Sequence, residues 1–101
     1  MAKKLPPLHP GEILREEFLV PLGLSSGALA KAMGVPRTRV ERIAAEATGI
    51  TADTALRLSK ALGTSPQLWL NLQSRYDVET AARTIGKQLA KIKRVTVEAA
   101  A

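Results

Sequence analysis

The sequence has no cysteine, a single histidine and only three aromatic residues in its 101 positions. Without cysteine there is neither a disulfide framework nor a thiolate metal site. His9 alone cannot form the cluster that zinc or a nucleophilic triad needs, so no catalytic residue, no metal ligand and no cofactor are expected. Its place beside Pro10 suits capping or packing at a helix start. With Phe18, Trp69 and Tyr76 as the whole aromatic set, aliphatic and alanine side chains must fill the core. No stretch approaches the ~20 apolar residues that span a bilayer. Lys3 and Lys4 near the start are not followed by a hydrophobic run, so no secretory signal is read there. The expected location is cytoplasmic, with no membrane partner.

What is present is helical. Hydrophobic residues make up 46% of the chain, enough for one packed domain, and the net charge of +6 favours a polyanionic partner. Pro10 suits a first helical turn, and Gly11-Glu12-Ile13-Leu14-Arg15-Glu16-Glu17-Phe18-Leu19 reads as a helix with Leu14 and Phe18 facing inward. Pro21 is expected to stop it. Ser25 is the cap of a second helix over residues 26–33, whose apolar face is Leu29, Ala32 and Met33. Gly34 supplies the permissive backbone of a tight corner, and Pro36 restarts a helix that runs to about residue 45 or 46. Thr51 caps a fourth helix with Ala55, Leu58, Ala61 and Leu62 on one stripe, closed by Gly63. Ser65-Pro66 opens a fifth, in which Trp69, Leu72 and Tyr76 follow at spacings of three and four; Trp69 and Tyr76 read as core packing ahead of a partner-binding surface, and the helix continues to about Ile85, before Gly86. Val95-Thr96-Val97 is a weak strand hint, and the terminal alanines should fray. The division is a flexible leader over 1–8, a domain over 9–85 and a basic tail over 86–101.

Residues 24–46 carry the functional signal. A short helix, a glycine corner and a second helix beginning two residues later is the spacing of a helix-turn-helix. In such a unit the first helix braces the second, whose N-terminal half enters the major groove. Val40, Ile43 and Ala44 form the inward seam; Thr38, Glu41, Arg42 and Ala45 point the other way, with Arg37 and Arg39 on the two flanks, and Pro36 is counted with Arg37, Thr38, Glu41 and Arg42 in the DNA-binding set. An arginine can place two donors on guanine and a threonine methyl can meet that of thymine, so Arg37, Thr38 and Arg42 are the candidate base readers. Arg39, on the flank, suits a phosphate, and Ser25, Ser26 and Gly27 offer hydroxyl and backbone N–H donors at a helix N-terminus. Three arginines on one face are also an ordinary solvated surface, and Glu41 and Glu46 leave residues 35–46 only +1. Lys87, Lys91, Lys93 and Arg94 place much of the excess charge in the tail, where it serves solubility or touches phosphates without sequence preference. Asp53 and Arg57, four apart, read as a surface ion pair of little weight.

His9-Pro10-Gly11-Glu12, Pro21-Leu22-Gly23-Leu24-Ser25, Met33-Gly34-Val35-Pro36, Thr51-Ala52-Asp53-Thr54-Ala55-Leu56-Arg57-Leu58 and Trp69-Leu70-Asn71-Leu72-Gln73 together resemble the HigA antitoxins, also called VapI or XRE-type regulators. The resemblance spans residues 9–83. It implies an all-α, five-helix lambda-repressor-like helix-turn-helix domain with a C-terminal dimerisation helix, around Trp69, Leu72 and Tyr76. It implies a homodimer on a palindromic operator in double-stranded DNA, repression of the protein's own operon, and a HigB-type toxin partner, a RelE-like mRNA endonuclease. The chain departs from that pattern at Ser26-Gly27, where many relatives carry glutamine at the start of the second helix, and at residues 44–49, which are less basic. A stand-alone XRE-type transcriptional regulator without a toxin is the alternative. A small enzyme finds no nucleophile–base pair, metal cluster or glycine-rich phosphate loop here, and a purely structural adaptor that never touches DNA is separated by an electrophoretic shift on the protein's own promoter.

Overall fold

The computed structural model describes residues 5–96. Among them every regular element is helical. The first rod, α1, runs without a break over residues 10–22, as an α-helical turn Pro10–Ile13, a π-helical segment Leu14–Leu19 and a final turn Val20–Leu22. It is followed by α2 (Ser26–Met33), α3 (Arg37–Ala44), α4 (Ala52–Leu62), α5 (Pro66–Thr84) and a short α6 (Gly86–Ala90).

Local chemistry places most of these boundaries. The side-chain oxygens of Ser25, Thr51 and Ser65 accept from the backbone N–H three residues on, at 3.0, 3.2 and 3.1 Å, so each satisfies one of the donors a helix start leaves orphaned. His9 does the same for α1: its Nδ1 accepts from Gly11 N–H at 2.8 Å, and its ring meets Tyr76 of α5 edge-on, with centroids 4.7 Å apart.

Pro21 does not stop α1; the helix continues through it to Leu22. In a straight α-helix the proline ring would crowd the carbonyl four residues back and leave it without a donor. The wider turn ahead of it absorbs that conflict, with Val20 N–H donating to Arg15 O in the five-residue π pattern. The π segment also moves the inward face. Leu14 and Leu19, five apart, are buried, while Phe18 is only half-buried and tilts against Trp69 at 5.4 Å. In α2 the buried set is Leu29, Ala30 and Met33; Ala32 is exposed, because the bracing contacts with α3 and α4 come from the other side of the helix. The third helix ends at Ala44, slightly early, and the basic tail begins with the short helix α6. Val95 and Thr96 form no strand; Val97 and the terminal alanines lie outside the described residues.

The core gathers Leu14, Leu29, Val40, Ile43, Ala55, Leu58 and Trp69, each no more than 1% exposed. Trp69 is its largest member, and its indole N–H is satisfied by Thr64 Oγ1 at 2.8 Å, so a polar group enters the interior without a penalty. Where α1 crosses α3 the two backbones nearly touch: a Cβ built on Gly11 would stand 1.8 Å from Ile43 O. Only glycine fits there.

Candidate nucleic-acid interface

The corner between α2 and α3 turns at Gly34, whose φ of +72° lies in the left-handed region that a side chain disfavours. Val35 N–H reaches back to Ala30 O at 3.0 Å and closes the end of α2. With Val40 and Ile43 sealed in the core, α3 has a fixed rotation about its axis, and Arg37, Thr38, Glu41 and Arg42 are exposed together on its outer side, with Pro36 exposed just ahead of them.

The N-terminus of α2 joins the same surface. Ser25 is occupied as the cap, and the N–H groups of Ser26 and Gly27, in the first turn, have no carbonyl within the helix to meet. Gly27 lies directly under Arg37: a Cβ there would be 3.3 Å from Arg37 Cδ. A side chain on residue 27 would press on the arginine stem, which would have to yield by a few tenths of an ångström. Arg37 is steadied by Glu41 at 3.4 Å, one turn on, whereas Arg42 makes no ion pair among the described residues.

Arg39 is half-buried on the flank and is already engaged, with its guanidinium 2.8 Å from Asp53 Oδ2 on α4. The same carboxylate oxygen accepts from Arg57 Nε at 3.0 Å, and Arg57 continues to Met33 O at 2.8 Å and Gly34 O at 3.4 Å. Asp53 and Arg57 are thus more than an isolated surface pair. They tie α4 both to α3 and to the carbonyls of the corner. The Arg57 hydrogen bond, assisted by that of Arg39, holds the Asp53 carboxyl below the usual carboxylate range.

Two other supports lie far away in sequence. Arg15 of α1 donates to Ala44 O at 2.5 Å, satisfying the C-terminal end of α3, and reaches Glu46 at 3.3 Å. Gln73 of α5 accepts from Ile50 N–H at 2.6 Å and fixes the loop that follows α3. Of the residues expected at a dimer contact, Leu72 and Tyr76 are half-buried, whereas Trp69 is 0% exposed within its own protomer. Trp69 therefore supports α5 from inside and presents no surface to a second copy.

A braced pair of helices around a left-handed glycine, with the polar face of the second turned outward, defines a helix-turn-helix domain. The helix-turn-helix family profile matches residues 14–69. Virulence-associated protein I of Dichelobacter nodosus is 55% identical over 78 residues, which cover 77% of this chain and 72% of that protein. Antitoxin HigA-1 of Vibrio cholerae is 44% identical over 72 residues, covering 71% of this chain and 68% of its own. The solved structure of Pseudomonas aeruginosa antitoxin HigA with the higBA promoter superposes with a TM-score of 0.85 at 46% identity, over 89% of this chain and 99% of that one. The chain belongs to the helix-turn-helix family, in its HigA-type branch.

Proposed function

We propose that this protein is the DNA-binding antitoxin of a type II toxin–antitoxin module. As a homodimer it binds a palindromic operator and represses its own operon, and it neutralises a HigB/RelE-like mRNA endonuclease by forming a complex with it. The observation that carries the DNA half is the outer face of α3, where Arg37, Thr38 and Arg42 stand exposed over a fully buried Val40–Ile43 seam. A rigid seam matters because base readout needs donors held in a set register; a bidentate arginine–guanine contact discriminates by about 1–3 kcal/mol. The promoter-bound relative, matched over nearly its whole length, supports the same reading.

The dimer is assigned to the distal part of α5 with α6, where Val78, Ile85 and Leu89 are exposed apolar residues at 63%, 41% and 43%. No described helix is long and apolar enough to cross a membrane. The cytoplasm, where operator and messenger are both reached, is the location this function requires.

A gel shift on the protein's own promoter tests the proposal. The wild type should prefer that DNA over a scrambled duplex of equal length, and Arg37→Ala with Arg42→Ala should abolish the preference. An unchanged footprint in the double variant refutes the assignment of base readers. Co-expression with the adjacent reading frame tests the antitoxin half: relief of growth arrest together with a purified complex is expected. Operator binding without either result leaves a stand-alone regulator.

A further inference from the structure

We infer that Asp53 is a specificity-setting residue of the DNA-binding surface, holding Arg39 of the recognition helix away from phosphates and so suppressing binding to DNA of any sequence. The inference rests on the DNA-binding reading above. Arg39 stands on the flank of α3, where a groove-inserted helix passes a phosphate strand. Its guanidinium is instead turned 2.8 Å onto the Asp53 carboxylate, which also accepts from Arg57 at 3.0 Å. The side chains of the three residues are 40%, 55% and 42% exposed, so the cluster faces solvent rather than the core. They line one cavity with Thr48 and Thr51, beside the N-terminus of α4.

Two consequences follow from the charges. A phosphate that approaches Arg39 must compete with a carboxylate already seated on it, and the same carboxylate repels the phosphate itself. Both effects act on every DNA sequence alike, since phosphate contacts carry no base information. Base contacts from Arg37, Thr38 and Arg42 are untouched, because none of these three is hydrogen-bonded to Asp53. Asp53 thus lowers the non-specific background against which operator binding is read, and specificity is that ratio rather than affinity alone. Arg57 keeps the carboxylate in place through its second anchor on Met33 O, 2.8 Å away.

The test is Asp53→Asn in the full chain, titrated onto its own promoter and onto a scrambled duplex of equal length across a salt series. Asparagine keeps the size and one acceptor oxygen but removes the charge. Scrambled-DNA binding should tighten about threefold to tenfold at low salt, and its log–log salt slope should steepen by about 0.9, the signature of one added phosphate contact. The promoter-to-scrambled ratio should fall. Arg39→Ala added to Asp53→Asn should cancel the gain, and Asp53→Glu should preserve most of the restraint. A folded Asp53→Asn protein, by circular dichroism, with unchanged or weaker scrambled-DNA binding overturns the inference and leaves Asp53 a structural clamp. Where Asp53→Asn fails to fold, Asp53→Ser takes its place: it must bind scrambled DNA more tightly than the wild type and lose that gain when Arg39→Ala is added, and any other outcome overturns the inference. A wild type that does not prefer its promoter overturns the DNA-binding reading itself, and this inference with it.

Discussion

Trp69 and Ile85 stand on or at the end of one continuous helix, yet they live in different surroundings. Trp69 is 0% exposed, wrapped by α1 and the rest of the core; Ile85 is 41% exposed, and every described residue from Thr80 onward is exposed. The first half of α5 is therefore held by tertiary packing, while the second half is largely exposed and meets the N-terminal segment, where the Leu5 carbonyl accepts from Arg83. A solitary helix of that length is marginal in water, because helix formation has a costly nucleus and draws most of its stability from a buried face. The apolar residues of the second half are what a second copy would bury. The contrast teaches that the helix-turn-helix buries its apolar face within this chain while the second half of α5 leaves Val78 and Ile85 exposed.

The contrast is sharpest when each half is truncated. Trp69→Ala should cost about 4 kcal/mol, the range for removing a large aromatic from a packed core, and chemical denaturation should show it as a lowered midpoint with the slope unchanged. Gly11→Ala comes next, at about 3 kcal/mol, because overpacking forces the backbones of α1 and α3 apart where a Cβ would stand 1.8 Å from Ile43 O. Val78→Ser with Ile85→Ser should change protomer stability by no more than about 0.5 kcal/mol, as surface substitutions do. The same double variant should run as a monomer in sedimentation, and its melting temperature should lose the concentration dependence that the proposed dimer gives the wild type. If it instead unfolded like Trp69→Ala, the two halves of α5 would not differ as described.

How much of this was legible beforehand follows the same division between near and far. Ser25, Gly34, Thr51, Gly63 and Ser65 announced the helix ends because a cap and a left-handed glycine act over three or four residues. Val40 and Ile43 were legible from helical spacing, and so was the outward set of α3. The distant supports of α3 and its flanking turns were not. Arg57 to Met33 O spans 24 residues, Arg15 to Ala44 O spans 29, and Gln73 to Ile50 N–H spans 23, and nothing local marks a side chain that bonds a distant backbone. Ala32 failed as a core residue because alanine suits either face of a helix, and neighbours choose. The π turn was missed for a related reason: Pro21 ordinarily ends a helix, and only the packing of both Leu14 and Leu19 makes the wider turn worthwhile.

The smallest effect separates two ion pairs with the same four-residue spacing, Asp53–Arg57 at 3.0 Å in the packed region and Arg75–Glu79 at 3.9 Å on the second half of α5. Only the first belongs to a network, since Asp53 also holds Arg39 and Arg57 also holds the corner. Its carboxyl is kept below the ordinary aspartate value of about 3.9 by the Arg57 hydrogen bond and then by that of Arg39. A lowered folded-state value means that the unfolded chain takes up the proton first as pH falls. The pair therefore stabilises the fold in full above the ordinary carboxylate range, and the contribution disappears as pH drops through the lowered value. Carboxyl carbon chemical shifts followed by NMR should place the Asp53 midpoint below that of an aspartate in the unfolded chain. Arg57→Ala should move the midpoint upward more than Arg39→Ala does, and Arg75→Ala should leave it where it was. A midpoint indifferent to Arg57 would mean that Arg57 does not hold the Asp53 carboxylate and serves only the carbonyls of the corner.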